Sequence, residues 1–103
     1  MNYTIYAWRS ILVEKDIAER ESTTITVDNV TVAEKIAVAV TEWMTDGEFG
    51  VTAVKCGEDI VTVIVQMDGE YLIDGDTYVN WRDVDDEIYY RIGEYASEKE
   101  MEQ

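Results

Sequence analysis

The run Ile60–Met67 (IVTVIVQM) constrains the fold of this chain more than any other segment. It is almost continuously apolar and rich in β-branched residues. Turn residues bound it on both sides, Gly57-Glu58-Asp59 before and Asp68-Gly69 after. Such a run reads as a strand, and one without polar alternation reads as a central strand of a sheet. Its neighbours follow from the same turns. Gly50–Cys56 (GVTAVKC) is a strand joined to it through Gly57-Glu58-Asp59. Asp68-Gly69 is a type I′ hairpin signal. It leads to a strand over Glu70–Asp74, after which Gly75-Asp76 turns the chain toward a short strand over Thr77–Trp81.

The N-terminal part adds more sheet. Tyr3–Val13 (YTIYAWRSILV) is rich in β-branched and aromatic residues and predicts a strand, with Arg9-Ser10 as its point of interruption. Glu14–Ser22 (EKDIAERES) is polar and reads as a loop or an irregular extension of that strand. Thr23–Val27 is a short strand.

Two helices complete the pattern. Thr31, with Glu34 three residues on, is a capping-box signature for a helix over Val32–Met44. Its apolar stripe is Val32, Ile36, Val40 and Trp43, and Thr45-Asp46-Gly47 ends it. Asp83 is the expected cap of a second helix, from Val84 to about Glu98. Its stripe is Val84, Ile88, Ile92, Tyr95 and Ala96, with Asp85, Asp86 and Glu87 in the first turn, where the helix dipole favours acids. Gly93 lies off the stripe and marks a close approach. The expected fold is one α+β two-layer domain over residues 1–103, β-β-α-β-β-β-α, an antiparallel sheet of about five strands with two helices on it.

Charge decides which partners such a domain can have. The chain carries 23 Asp plus Glu against 8 Lys plus Arg and no His, a formal net charge of −15. Small soluble domains sit at a magnitude of about 2 to 8. Disorder is the alternative at such a charge, but 47% apolar and 11% aromatic residues are enough for a core. Direct binding to nucleic acid or to an anionic membrane is excluded by like charge; a basic partner is expected instead. No run approaches the roughly 20 apolar residues of a membrane span, and Met1–Ser10 has no signal-peptide pattern, so a cytoplasmic location is expected. The absence of His removes Ser-His-Asp and Cys-His catalysis, and there is no GxGxxG or P-loop. Cys56, with no base to activate it, reads as a packed strand residue. No enzymatic activity and no cofactor are expected.

The acids are not evenly spread. Residues 46–103 hold 16 acids against 4 bases, a net −12. On the second helix Asp83, Asp86, Glu87, Glu94 and Glu98 project to one face opposite the apolar stripe, with Tyr90 in its middle and Arg91 placed to pair with Glu87. In the preceding hairpin Asp68, Glu70, Asp74 and Asp76 recur at about every second residue, which on one strand is a spacing of about 7 Å, close to the step between successive phosphates. Trp81 beside them reads either as an interface anchor or as a staple on the helix start, whereas Trp8 and Trp43 read as core.

This chain resembles the small, His-poor, strongly acidic anti-defence proteins of phages and plasmids, the anti-CRISPR proteins and the DNA-mimicking antirestriction proteins, in size, charge and layout. The resemblance implies an inhibitor acting in the bacterial host cytoplasm. It would evade host defence by binding a CRISPR effector or restriction enzyme through protein–protein contact. It implies no particular topology and carries over no catalytic residue. On that reading Glu70, Asp74, Asp76, Asp83, Asp86, Glu87, Glu94 and Glu98 supply the negative face, and Tyr90 and Trp81 the apolar contacts. An antitoxin-like or scaffold protein for another basic partner is the alternative. A cation site at Asp74-Gly75-Asp76 with Asn80 and Asp83 fits less well, since the Gly and Glu positions of a calcium loop are not matched. A homodimer is expected to form, if at all, through an exposed edge in Tyr3–Val13.

Overall fold

The fold was analysed in a computed structural model, which describes residues 1–14, 17–67 and 69–101. It is α+β, a six-stranded antiparallel open sheet with two helices. The strands are β1 (Tyr3–Glu14), β2 (Ile17–Val27), β3 (Phe49–Cys56), β4 (Asp59–Met67), β5 (Glu70–Ile73) and β6 (Asp76–Tyr78), in the spatial order β2-β1-β3-β4-β5-β6. The helices are α1 (Val30–Met44), between β2 and β3, and α2 (Trp81–Met101), after β6. β4 is central, as its unbroken apolar run requires.

The N-terminal strands depart from expectation. β1 runs through Arg9 and Ser10 without a break, because Arg9 is satisfied in place. Its Nε donates to Glu21 (3.0 Å), an Nη donates to the Trp43 carbonyl (2.9 Å), and the guanidinium stacks on the Trp43 ring at 4.4 Å. Most of Glu14–Ser22 is strand as well, paired with β1 from Arg9↔Glu21 to Leu12↔Ala18. β3 pairs with β1 only as far as Ser10, so the outer ends of β1 and β2 stand clear of the sheet as an arm. Polar side chains on the arm face water, which hides the strand from any burial pattern. β1 is therefore flanked on both sides from Tyr3 to Ser10, where the expected edge is absent; Ile11–Glu14 keeps the edge that β3 does not reach, and β2 and β6 are the outer strands.

Alternate residues of the sheet are buried beneath the helices. Tyr3, Ile5, Val54, Ile64 and Ile73 are fully enclosed, together with Ile88 and Ile92 of α2. Each such aliphatic side chain contributes about 1.5–3 kcal/mol by leaving water. Cys56 is buried in this layer as a strand residue.

α1 starts earlier than the Thr31 signature suggests. Asn29 is the cap; its Oδ1 accepts from the Val32 N–H at 3.1 Å and its carbonyl accepts from Ala33 N–H at 2.9 Å. The buried stripe is Ala33, Ala37, Val40, Thr41 and Met44, so Val32 is left 43% exposed and Ile36 and Trp43 half-buried. Small alanines let the helix lie close on the sheet, and pattern reading gives weight to large residues instead. At the end of α1 a Cβ on Gly50 would fall 2.5 Å from Met44 Cγ and 2.9 Å from the Trp8 carbonyl oxygen, so only glycine permits this approach. Trp8 itself is not core. It alternates with Ile5 and Ala7 onto the far side of the sheet, where its ring packs on Phe49 at 5.2 Å.

α2 buries the expected Val84, Ile88, Ile92 and Ala96, with Tyr95 half-buried. Asn80 replaces Asp83 as the residue that closes its start. Asn80 Oδ1 accepts from Arg82 N–H at 2.9 Å, and its carbonyl accepts from Asp83 and Val84 N–H. Gly93 does not mark the expected close approach: a Cβ there would lie 3.5 Å from a Glu34 carboxylate oxygen, an ordinary van der Waals contact.

Candidate functional site

The outward side of α2 is set by the residues that face away from Val84, Ile88, Ile92 and Ala96. Asp83, Asp86, Glu94 and Glu98 lie there and are all exposed, and Tyr90 among them is 61% exposed. At about 1.5 Å rise per residue, these carboxylates form two pairs, Asp83 with Asp86 and Glu94 with Glu98, separated by about 12 Å with Tyr90 between them. They are held on a stiff element and need no loop to order them.

Two anchors fix that element. The first is Arg91, which lies on the inner margin of the row with its side chain only 22% exposed. It donates to Asp74 at 2.7 Å and to Glu87 at 2.8 Å, and reaches Asp76 at 3.4 Å. Burial opposes the charged guanidinium, but hydrogen bonds with Tyr78, Asp74 and Glu87 outweigh it and raise the Arg91 pKa further above its ordinary value. The second anchor lies one turn further along α2. Tyr95 Oη donates to Asp59 at 2.8 Å, and Lys99 Nζ lies 3.3 Å from the same carboxylate. The Tyr95 hydrogen bond, then Lys99, holds the Asp59 carboxyl below its usual value. Burial and the bond to Asp59 push the Tyr95 hydroxyl up.

The predicted acidic surface is therefore divided. Asp74 and Glu87 do not present free charge. Asp74 occupies a left-handed backbone position (φ 50°) after β5, and its carboxylate accepts from Val63 N–H (2.9 Å), Thr62 Oγ1 (2.9 Å) and Arg91. It ties β4, the β5–β6 turn and α2 together. The proposed row along the hairpin does not exist. Glu70 pairs with Met67, and Asp76 pairs with Ile73, so they point to opposite faces of the sheet. Asp68 lies outside the described residues. Asp76 remains beside the α2 row, half shared with Arg91. Trp81 is half-buried, and its ring packs on Tyr71 of β5 with centroids 5.7 Å apart. Tyr90 is the more accessible aromatic of α2, with Tyr89 beside it 40% exposed.

Asp85 carries a feature that the linear reading missed. One of its carboxylate oxygens is buried with no hydrogen-bond partner among the described residues. Burial above all, then the charges of Glu42 on α1 and Asp86, raise its pKa. Its place next to Asp86 in sequence suggested a dipole-stabilising acid, and only the crossing of α1 reveals the crowding. The Asp74-Gly75-Asp76 segment is not arranged as a cation site. Three donors already occupy the Asp74 carboxylate, and among the described residues no group of three Cys, Asp or Glu side chains is placed to hold a metal ion.

No family model matches the chain, and no curated protein or solved structure matches it.

Proposed function

We propose that this protein is a non-enzymatic inhibitor that presents the outward side of α2 to the basic groove of a bacterial defence nuclease, a CRISPR effector or restriction enzyme, in place of nucleic acid. The observation that carries the reading is the exposed row Asp83, Asp86, Glu94 and Glu98 around Tyr90, on a helix anchored at its middle by Arg91 and one turn further on by Tyr95. A row of carboxylates at helical spacing is complementary to grooves that hold a phosphate backbone with Lys and Arg. A preformed row loses little conformational freedom on docking. Tyr90 adds a rigid aromatic surface where such grooves stack or pack bases. The large negative field steers encounter and makes the affinity fall with salt.

The test is inhibition of DNA cleavage by guide-loaded CRISPR effectors and by restriction endonucleases, with wild type and with the pair Asp86→Lys and Glu94→Lys. Both positions are exposed and outside the Arg91 clamp, so their reversal leaves the fold intact. Inhibition by wild type that the reversed pair loses supports the reading. A reversed pair that inhibits as strongly as wild type removes α2 from the interface.

A further inference from the structure

Both helices lie on one side of the sheet, and among the described residues nothing packs on the other. Register places a continuous apolar row across that bare side, Trp8↔Val51, Val51↔Val65 and Val65↔Leu72 on successive strands. Phe49↔Met67 and Ala53↔Val63 lie beside it. A sheet face that meets only water alternates to polar residues; this one does not, and contiguous apolar surface of this kind marks an interaction site.

The charge on this side is the reverse of the rest. Glu19 and Glu21 of β2 pair with Ile11 and Arg9 on the helix side, and Asp59 pairs with Cys56 there too. Within β3, β4 and β5 the bare side holds one acid, Glu70, against Lys55, and β2 adds Arg20. The Arg20 guanidinium lies 4.4 Å from the Trp8 ring centre and donates to Tyr6 Oη at 2.7 Å. The patch is apolar and locally more positive than negative, in a chain of net charge −15.

We infer that this bare sheet face is the interface of a homodimer, two copies packed sheet against sheet with their helices outward. A second copy presents the same apolar row, so the contact is self-complementary, and this is the approach that keeps the two acidic α2 rows farthest apart. Lys55 and Glu70 lie at opposite ends of the face, so a two-fold axis across the strands brings each toward its opposite in the partner. About seven residues on each of β2, β1, β3 and β4 and four on β5, at about 4.8 Å spacing and about 3.4 Å rise, project to roughly 500 Å² before side-chain relief. This is below the ~800 Å² per partner of a standard interface, so the dimer is weak and concentration-dependent. The arm extends the face, with Leu12 54% exposed on the same side as Trp8.

Sedimentation of the wild-type protein from about 1 to about 500 μM tests this without any target. The expected mass rises across this range toward twice the 11.8 kDa of the chain, and Val65→Lys, at the centre of the row, weakens dimerisation by at least about 30-fold, as for a central hot spot. Met67→Lys, at a position already 49% exposed, gives a folded monomer-shifted control should Val65→Lys fail to fold by circular dichroism. A wild type that stays monomeric throughout overturns the inference, including the case where a different apolar partner covers the face. So does a dimer that folded Val65→Lys or Met67→Lys leaves unchanged. Neither result bears on nuclease inhibition.

Discussion

The two sides of this molecule are made by opposite rules. The outward side of α2 is charged, with Tyr90 among its acids, and built on a helix pinned by Arg91 and Tyr95. The bare side of the sheet is apolar over four adjacent strands and nearly free of acids. A uniformly acidic skin, as solvation alone would favour, has no reason to spare one face. The sidedness carries more information than the total of −15: it separates a charged surface from an apolar one.

The largest expected effect breaks the charged side. Reversal of Asp86 and Glu94 to Lys lowers affinity for the nuclease about 100-fold at low salt, within the range of steering and charge-pair effects, while urea denaturation shows no loss of stability. The next sharpens the distinction between displayed and committed acids. Arg91→Ala leaves Asp74, Glu87 and Asp76 facing one another and costs about 2 kcal/mol in urea denaturation, between the values for exposed and buried pairs. Removing an exposed acid such as Glu94 costs nothing there. The aromatics divide in the same way. Tyr90→Ala weakens binding about 10-fold without changing stability, and Trp81→Ala lowers stability without changing the association rate.

The smallest effect is at Asp85. Its folded-state pKa is raised, so the folded chain holds this proton more tightly than the unfolded chain. Stability from this group is therefore full below the ordinary carboxylate pKa of about 4 and is lost as pH rises through the folded value. At neutral pH the penalty is present, and Asp85→Asn raises the melting temperature by a few degrees. The gain disappears when the melts are repeated below about pH 4.

Much of the fold was legible because particular residues allow one outcome. The apolar run of β4, the turn at Gly57 and the stripe Val84, Ile88, Ile92 and Ala96 each specify their element locally. What was not legible depends on tertiary partners. The arm of β2 reads as a loop because its side chains meet water, and the ladder with β1 satisfies its backbone. Asn29 and Thr31 are both cap residues, and contact with the sheet decides between them through Ala33 and Ala37. On α2 the row of acids followed from helical spacing. The hairpin row failed because a turn lies between Glu70 and Asp76 and resets which face each residue meets. The commitment of Asp74 to Thr62, Val63 and Arg91 is a long-range event with no local signature. The bare sheet face was present in the alternation of Trp8, Phe49 and Val51, but a Trp in a strand reads as core until the helices are seen to cover only one side.

The most direct test is the salt dependence of inhibition. DNA cleavage by a guide-loaded CRISPR effector or a restriction endonuclease is titrated with wild type and with the Asp86→Lys and Glu94→Lys pair, from low salt to about 0.5 M. The account predicts inhibition by wild type that weakens steeply as salt rises, and weak, salt-insensitive inhibition by the reversed pair. Inhibition that is flat with salt, or equal in the two proteins, contradicts it.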